Sequence, residues 1–258
     1  MQGKLICINS VFIERAMSAI IRVFTRDGFV VFADGRSTPV DPDRPVNNET
    51  QKIFDVSSDS GPLSMGIVGK AQLETADGLC LDLTQLFVDS ADALRTANIV
   101  DFREYGTRLS DPVIRRIMDG NFGAKKEDDL LNVFVDGFMD GTPGSVKICM
   151  FVESSKLIRE VELLNICWQP YIYGADKLAT SMFIGNGMIP RIYDGPTGPD
   201  VNIADVTAMA CAYIHACGEA HNIEFDPFCK TIGGRIHGAV VGPMGFQWIE
   251  GFKPTNVT

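Results

Sequence analysis

Residues 27–36 read Asp27-Gly28-Phe29-Val30-Val31-Phe32-Ala33-Asp34-Gly35-Arg36, an apolar run with an Asp-Gly pair at each end. Aromatic and β-branched residues suit a buried, pleated strand, and Asp-Gly suits a turn. The stretch before it, Ala19 to Thr25, is also apolar and β-branched. Together they predict a hairpin that turns at Arg26-Asp27-Gly28. Outward from this hairpin, Pro39, Pro42 and Pro45 mark residues 36–51 as a loop. Lys52–Val56 and Leu63–Val68 predict short strands about a turn at 57–61.

The period then changes. Leu79, Leu83, Leu86, Phe87 and Leu94 recur at helical spacing within 71–99. A second helix is predicted over 101–118, with a kink or break at Asp111-Pro112. Strands are predicted at 130–139, 145–151 and 156–164, with a further segment at 181–184. A late helix follows over 202–220, with Asp205 in its first turn. A hairpin over 232–249 closes the chain. Strands joined by hairpins, with helices grouped in blocks, predict an α+β fold of layered antiparallel sheets rather than a βαβ repeat.

The chain has 258 residues, 45% of them hydrophobic and 22% charged, enough for one self-supporting core. Lys plus Arg is 23 against 33 Asp plus Glu, a formal charge of −10. An acidic chain without a basic patch repels phosphate backbones, so no nucleic acid is expected as partner. No stretch reaches the roughly 20 apolar residues of a membrane span. Cys7, Cys80, Cys149, Cys167, Cys211, Cys217 and Cys229 form no C-x-x-C pair. They read as thiols of a reducing, cytoplasmic compartment. Residues 4–19 loosely mimic a signal peptide, but Asn9, Ser10, Glu14 and Arg15 interrupt the pattern.

Several chemistries fall away. Gly185-Asn186-Gly187 lacks the third glycine of a dinucleotide fingerprint, and Pro190 follows. At about 100° per residue, Cys211 and His215 lie on one helix face and Cys217 and His221 on another, so no metal site is predicted. Three histidines, all after residue 214, and no G-x-S-x-G leave no Ser-His-Asp hydrolase. Asp41-Pro42-Asp43 reads as a turn, not a calcium loop.

Residues 18–72 resemble the start of the proteasome β-subunit family and its bacterial relatives, which are N-terminal-nucleophile hydrolases. The likeness is carried by Ser18-Ala19-Ile20-Ile21, the stretch 27–36, Gln51-Lys52-Ile53-Phe54 and Gly66-Ile67-Val68-Gly69-Lys70-Ala71-Gln72. The spacings agree too. Asp34 lies 16 residues after Ser18, and Gly66 lies 14 after Lys52. The resemblance implies a four-layer α/β/β/α sandwich over residues 18–258, with 1–17 as a propeptide or an extra strand. It implies Ser18 as nucleophile, Asp34 and Lys52 as its electrostatic partners, and Gly66 N–H as oxyanion donor. Ser64, Val68 and Phe54 would line a pocket for an apolar side chain. The family's assisting serine corresponds to Asn186, and its Asp-x-x-Ser to Cys229–Ile232.

The implied chemistry is self-consistent and uses no cofactor or metal. A hydroxyl on the first residue has its own α-amine, titrating near pH 8, as base. A buried lysine beside an aspartate favours the alkoxide. The expected function is a peptidase that cleaves amide bonds after self-processing before Ser18. A catalytically silent structural or assembly subunit is the alternative. A homo-oligomer, a peptide or amide substrate and an ATPase partner are the expected associations.

Overall fold

The computed structural model describes residues 18–37, 45–74, 80–120, 127–184 and 191–255. The segment 1–17, expected as a propeptide or strand, lies outside them, as does Asn186. The fold is α+β. β1 (Ile20–Thr25) and β2 (Gly28–Asp34) form the predicted hairpin. β3 (Ile53–Asp55) and β4 (Leu63–Gly69) form the second.

The helix expected from residue 71 begins later. β5 (Gln72–Glu74) and β6 (Cys80–Asp82) first make a small antiparallel pair. The Asp82 carboxylate then accepts from Gln85 N at 2.9 Å and sets the start of α1 (Leu83–Leu94). α2 (Phe102–Asp119) runs unbroken through Pro112. Pro112 and Arg108, the residue whose carbonyl the proline cannot serve, are both at exposed positions, where the loss of that helix bond is best tolerated. Tyr105, Leu109, Val113 and Ile117, all buried, hold the other face of α2.

β7 (Glu127–Met139), β8 (Thr142–Glu153) and β9 (Lys156–Leu163) follow as an antiparallel meander. β10 (Tyr171–Tyr173) comes next. The segment expected as a strand at 181–184 is the end of a helix, α3 (Asp176–Ile184). Its buried Leu178 and Met182 are four residues apart, a helical spacing that a four-residue apolar window cannot reveal. The late helix is α4 (Ile203–Ala216), opened by an Asn202–Asp205 capping box. It ends short of residue 220, and a separate α5 (Ala220–Phe225) follows. β11 (Ile236–Gly242) and β12 (Gly245–Trp248) are the final hairpin.

The strands form two five-stranded sheets, ordered β10-β1-β2-β11-β12 and β3-β4-β7-β8-β9. Side chains alternate between faces, so each sheet has two apolar sides. Ile20, Val31, Ala239, Ile53, Val68 and Phe134 form a cluster drawn from both sheets. Leu63, Met65, Val133 and Ile148 pack against α1 and α2. Ile21, Val23, Val30 and Phe32 pack with residues of α3 and α4. Among the described residues, no helix is long and apolar enough to cross a membrane.

Candidate active site

Asp34 ends β2 and is fully buried. Its carboxylate collects four donors among the described residues. Oδ1 accepts from Ala19 N at 2.7 Å and from Lys52 Nζ at 2.7 Å. Oδ2 accepts from Gly233 N at 3.0 Å and Arg36 N at 3.2 Å. A buried carboxylate so supplied has its hydrogen-bonding capacity met.

Lys52, also buried, gives a second bond to the Arg36 carbonyl at 2.6 Å. Burial lowers its pKa from the ordinary lysine value, and the Asp34 charge and hydrogen bond act against that fall. Arg36 ties down the chain that brings Gly233. Its guanidinium donates to the carbonyls of Lys230 and Ile232 at 3.0 and 3.2 Å. Gly233 has φ +148°, and a Cβ there would stand 2.8 Å from that guanidinium, so glycine is required.

Ser18 directly precedes Ala19, whose amide sits on Asp34, and Ser18 itself is buried. The structure thus brings Asp34 and Lys52 into one pair, and Ser18 is joined to it through the neighbouring Ala19 amide. Gly66 is placed differently. Phe138 N donates to Pro62 O and Lys70 N to Leu130 O, so even-numbered residues of β4 turn their amides to β7. Gly66 N–H therefore points into the ladder opposite Phe134. The glycine has a packing reason: a Cβ there would lie 2.1 Å from Ile20 Cδ1.

Gly69, at the end of β4, turns its amide the other way. Ile67 N donates to Lys52 O at 2.9 Å, so odd-numbered amides turn to the Lys52 side. Gly69 N–H shares that side, beyond the three residues of β3. Its φ is +115°, and a Cβ would meet Leu130 O at 2.6 Å.

Ser64, Val68 and Phe54 do not gather into one pocket. Ser64 and Val68 are buried on the β4 face toward the other sheet, and Ser64 Oγ donates to the Asp136 carbonyl at 3.4 Å. Phe54, one residue from Ile53, packs with the α1 and α2 cluster instead. The alternation of strand faces separates them.

Two further features adjoin the site. β10 pairs Tyr173 with Ile20, so the turn after it flanks Ala19. A Cβ on Gly174 would lie 3.4 Å from Ala19 Cα. Asp226, buried, holds the helix that follows: its Oδ2 accepts from Lys177 N at 2.9 Å and Leu178 N at 3.3 Å. Cys229 and Ile232, the departures from the family's Asp-x-x-Ser noted in the sequence, are buried apolar positions beside Tyr213 and Ala175. Among the described residues, no group of three or more His, Cys, Asp or Glu is placed to hold a metal.

No family model matches the sequence, and no curated protein matches it. Solved structures match in shape. The Anbu complex of Pseudomonas aeruginosa, described as a helical assembly, aligns with a TM-score of 0.57 at 11% identity. The match covers 93% of this chain and 88% of that one. The chain has a proteasome-like fold. Anbu from Yersinia bercovieri, described as an ancestral beta-subunit, aligns at 0.56 and 13% identity over 91% of this chain and 88% of its own. A Gly-1 mutant of Anbu from Hyphomicrobium sp. strain MC1 gives 0.56 and 13% over 90% and 85%. At these identities the likeness is one of fold.

Proposed function

We propose that this chain is a proteasome-like amide hydrolase with the Ser18 hydroxyl as nucleophile. The observation that carries the reading is the buried Asp34–Lys52 pair at 2.7 Å, joined to the amide that follows Ser18. Once the bond before Ser18 is cut, the freed α-amine takes the hydroxyl proton. The alkoxide attacks a peptide carbonyl, and the Lys52 charge stabilises it. We assign the oxyanion donor to Gly69 N–H in place of Gly66, since Gly66 N–H is directed at β7. Collapse of the intermediate expels the amine leaving group, which takes the proton from the α-ammonium. Water then hydrolyses the acyl-serine by the same route.

The same reading takes the layer order as α/β/β/α, since three apolar clusters alternate with two sheets. It takes the working form as a cytoplasmic homo-oligomer served by an ATPase, with peptides as substrates. A silent subunit is the competing reading. It is favoured by Cys229 and Ile232, buried apolar positions that stand where the resembled family has an Asp-x-x-Ser.

The test is intact-mass spectrometry on untagged protein, with fluorogenic peptides as substrates. The hydrolase reading expects loss of residues 1–17 and turnover, both abolished by Ser18→Ala. A single species that keeps those residues and turns over nothing supports the silent subunit.

A further inference from the structure

His237 lies near the start of β11 in the first sheet, paired with Ala33 of β2. With Ala239 and Val241, two and four residues on, it shares the strand face that looks toward the second sheet. Its relative exposure is 0%. Neither ring nitrogen has a hydrogen-bond partner among the described residues. A neutral imidazole carries one donor and one acceptor, and both are buried here without a mate. Such a group is costly to keep and is rare in folded chains.

Its charged surroundings come from several elements. Arg235 precedes it on its own segment, Glu49 and Lys52 lie on the chain leading into β3, and Asp34 ends β2. Arg235 and Glu49 face each other at 3.6 Å, and Lys52 and Asp34 at 2.7 Å. The anions are thus already matched to cations. A proton on His237 would add a positive charge next to two cations, in a place with no acceptor for either N–H.

We propose that His237 is a pH-sensitive element of the seam between the sheets: neutral, it fits the seam; protonated, it loosens the β3 edge next to Lys52. This does not depend on Ser18 being a nucleophile. Burial, then Arg235, holds the imidazole below the ordinary histidine value, with Glu49 and Asp34 opposing and Lys52 adding to the fall. The sign follows from linkage. Above about pH 6.5 the imidazole is neutral in both folded and unfolded chains and contributes no slope. Below it, the unfolded chain takes the proton first. The folding constant then falls up to about tenfold per pH unit, until the folded imidazole titrates too.

The test compares unfolding from pH 8 to pH 5 in the full chain and in His237→Phe, which keeps an aromatic ring without the proton. The expected result is a steeper loss below pH 6.5 in the parent than in the variant; parallel curves overturn the proposal. Should the variant not fold, a variant carrying His215→Gln and His221→Gln, both at exposed positions, leaves His237 as the sole imidazole for NMR. Support is a midpoint below 6.5, with faster hydrogen exchange at Ile53–Asp55 across the same pH range. A midpoint at or above 6.5, or unchanged exchange, overturns it.

Discussion

Among the described residues, the donors to Asp34 are three backbone amides and one lysine, so Lys52 is the one full charge there that balances it directly. Lys52→Met should leave a buried, uncompensated carboxylate and cost about 3–5 kcal/mol, read by urea unfolding. It should also end any turnover. In the parent, activity should fall on the alkaline side as Lys52 loses its proton, at a pH below the ordinary lysine value. The two glycines of β4 separate by cause. Gly66→Ala meets the tip of Ile20, a side-chain atom that shifts or can be removed. Its cost, about 1–3 kcal/mol, should largely vanish in the Ile20→Val background, a double-mutant cycle. Gly69→Ala meets the Leu130 carbonyl at positive φ and should cost more, without rescue by Ile20→Val.

At the scale of elements, the first hairpin and the Asp34–Lys52 pair were legible because local signals converge there: Asp-Gly turns, alternation and spacing. Residues 71–82 misled because leucines at helical intervals coexist with a capping aspartate that starts α1 late. α3 was missed because its evidence is tertiary. Two buried side chains and the distant Asp226 hold it. The same distance hid the turn at Gly174, which adjoins Ala19 only through the pairing of β10 with β1. Asp226 also accepts from Phe228 N at 3.2 Å and so starts the short helical turn 227–231. Asp226→Ala should therefore cost at least about 2 kcal/mol, since two helix starts lose their acceptor. Loss of chain order should concentrate in 174–184 and 226–233 by hydrogen exchange.

At the scale of the whole molecule, a second buried ion pair joins the sheets besides Asp34–Lys52. Arg22 of β1 donates through Nε to Asp136 of β7 at 2.6 Å, and its Nη2 donates to Asp136 and Ser145. Its guanidinium stacks 5.1 Å from the Phe134 ring centroid and 5.2 Å from that of Tyr171. Arg22→Met should cost about 3–5 kcal/mol by stranding Asp136, while Arg22→Met with Asp136→Leu should recover most of it. Denaturant midpoints of the three variants decide this. The pair fixes how β1, and hence Ser18 at its head, sits over β7.

The central claim is that the Asp34–Lys52 pair makes the Ser18 hydroxyl a nucleophile once its amine is free. The most direct measurement is intact-mass spectrometry of the chain released at Ser18 from a cleavable fusion and treated with a serine-reactive electrophile. The expected result is one adduct, mapped to Ser18, that disappears in Lys52→Met while the circular dichroism of that variant remains that of a folded chain. An unmodified parent, or an adduct at Ser18 that persists equally in folded Lys52→Met, would contradict it.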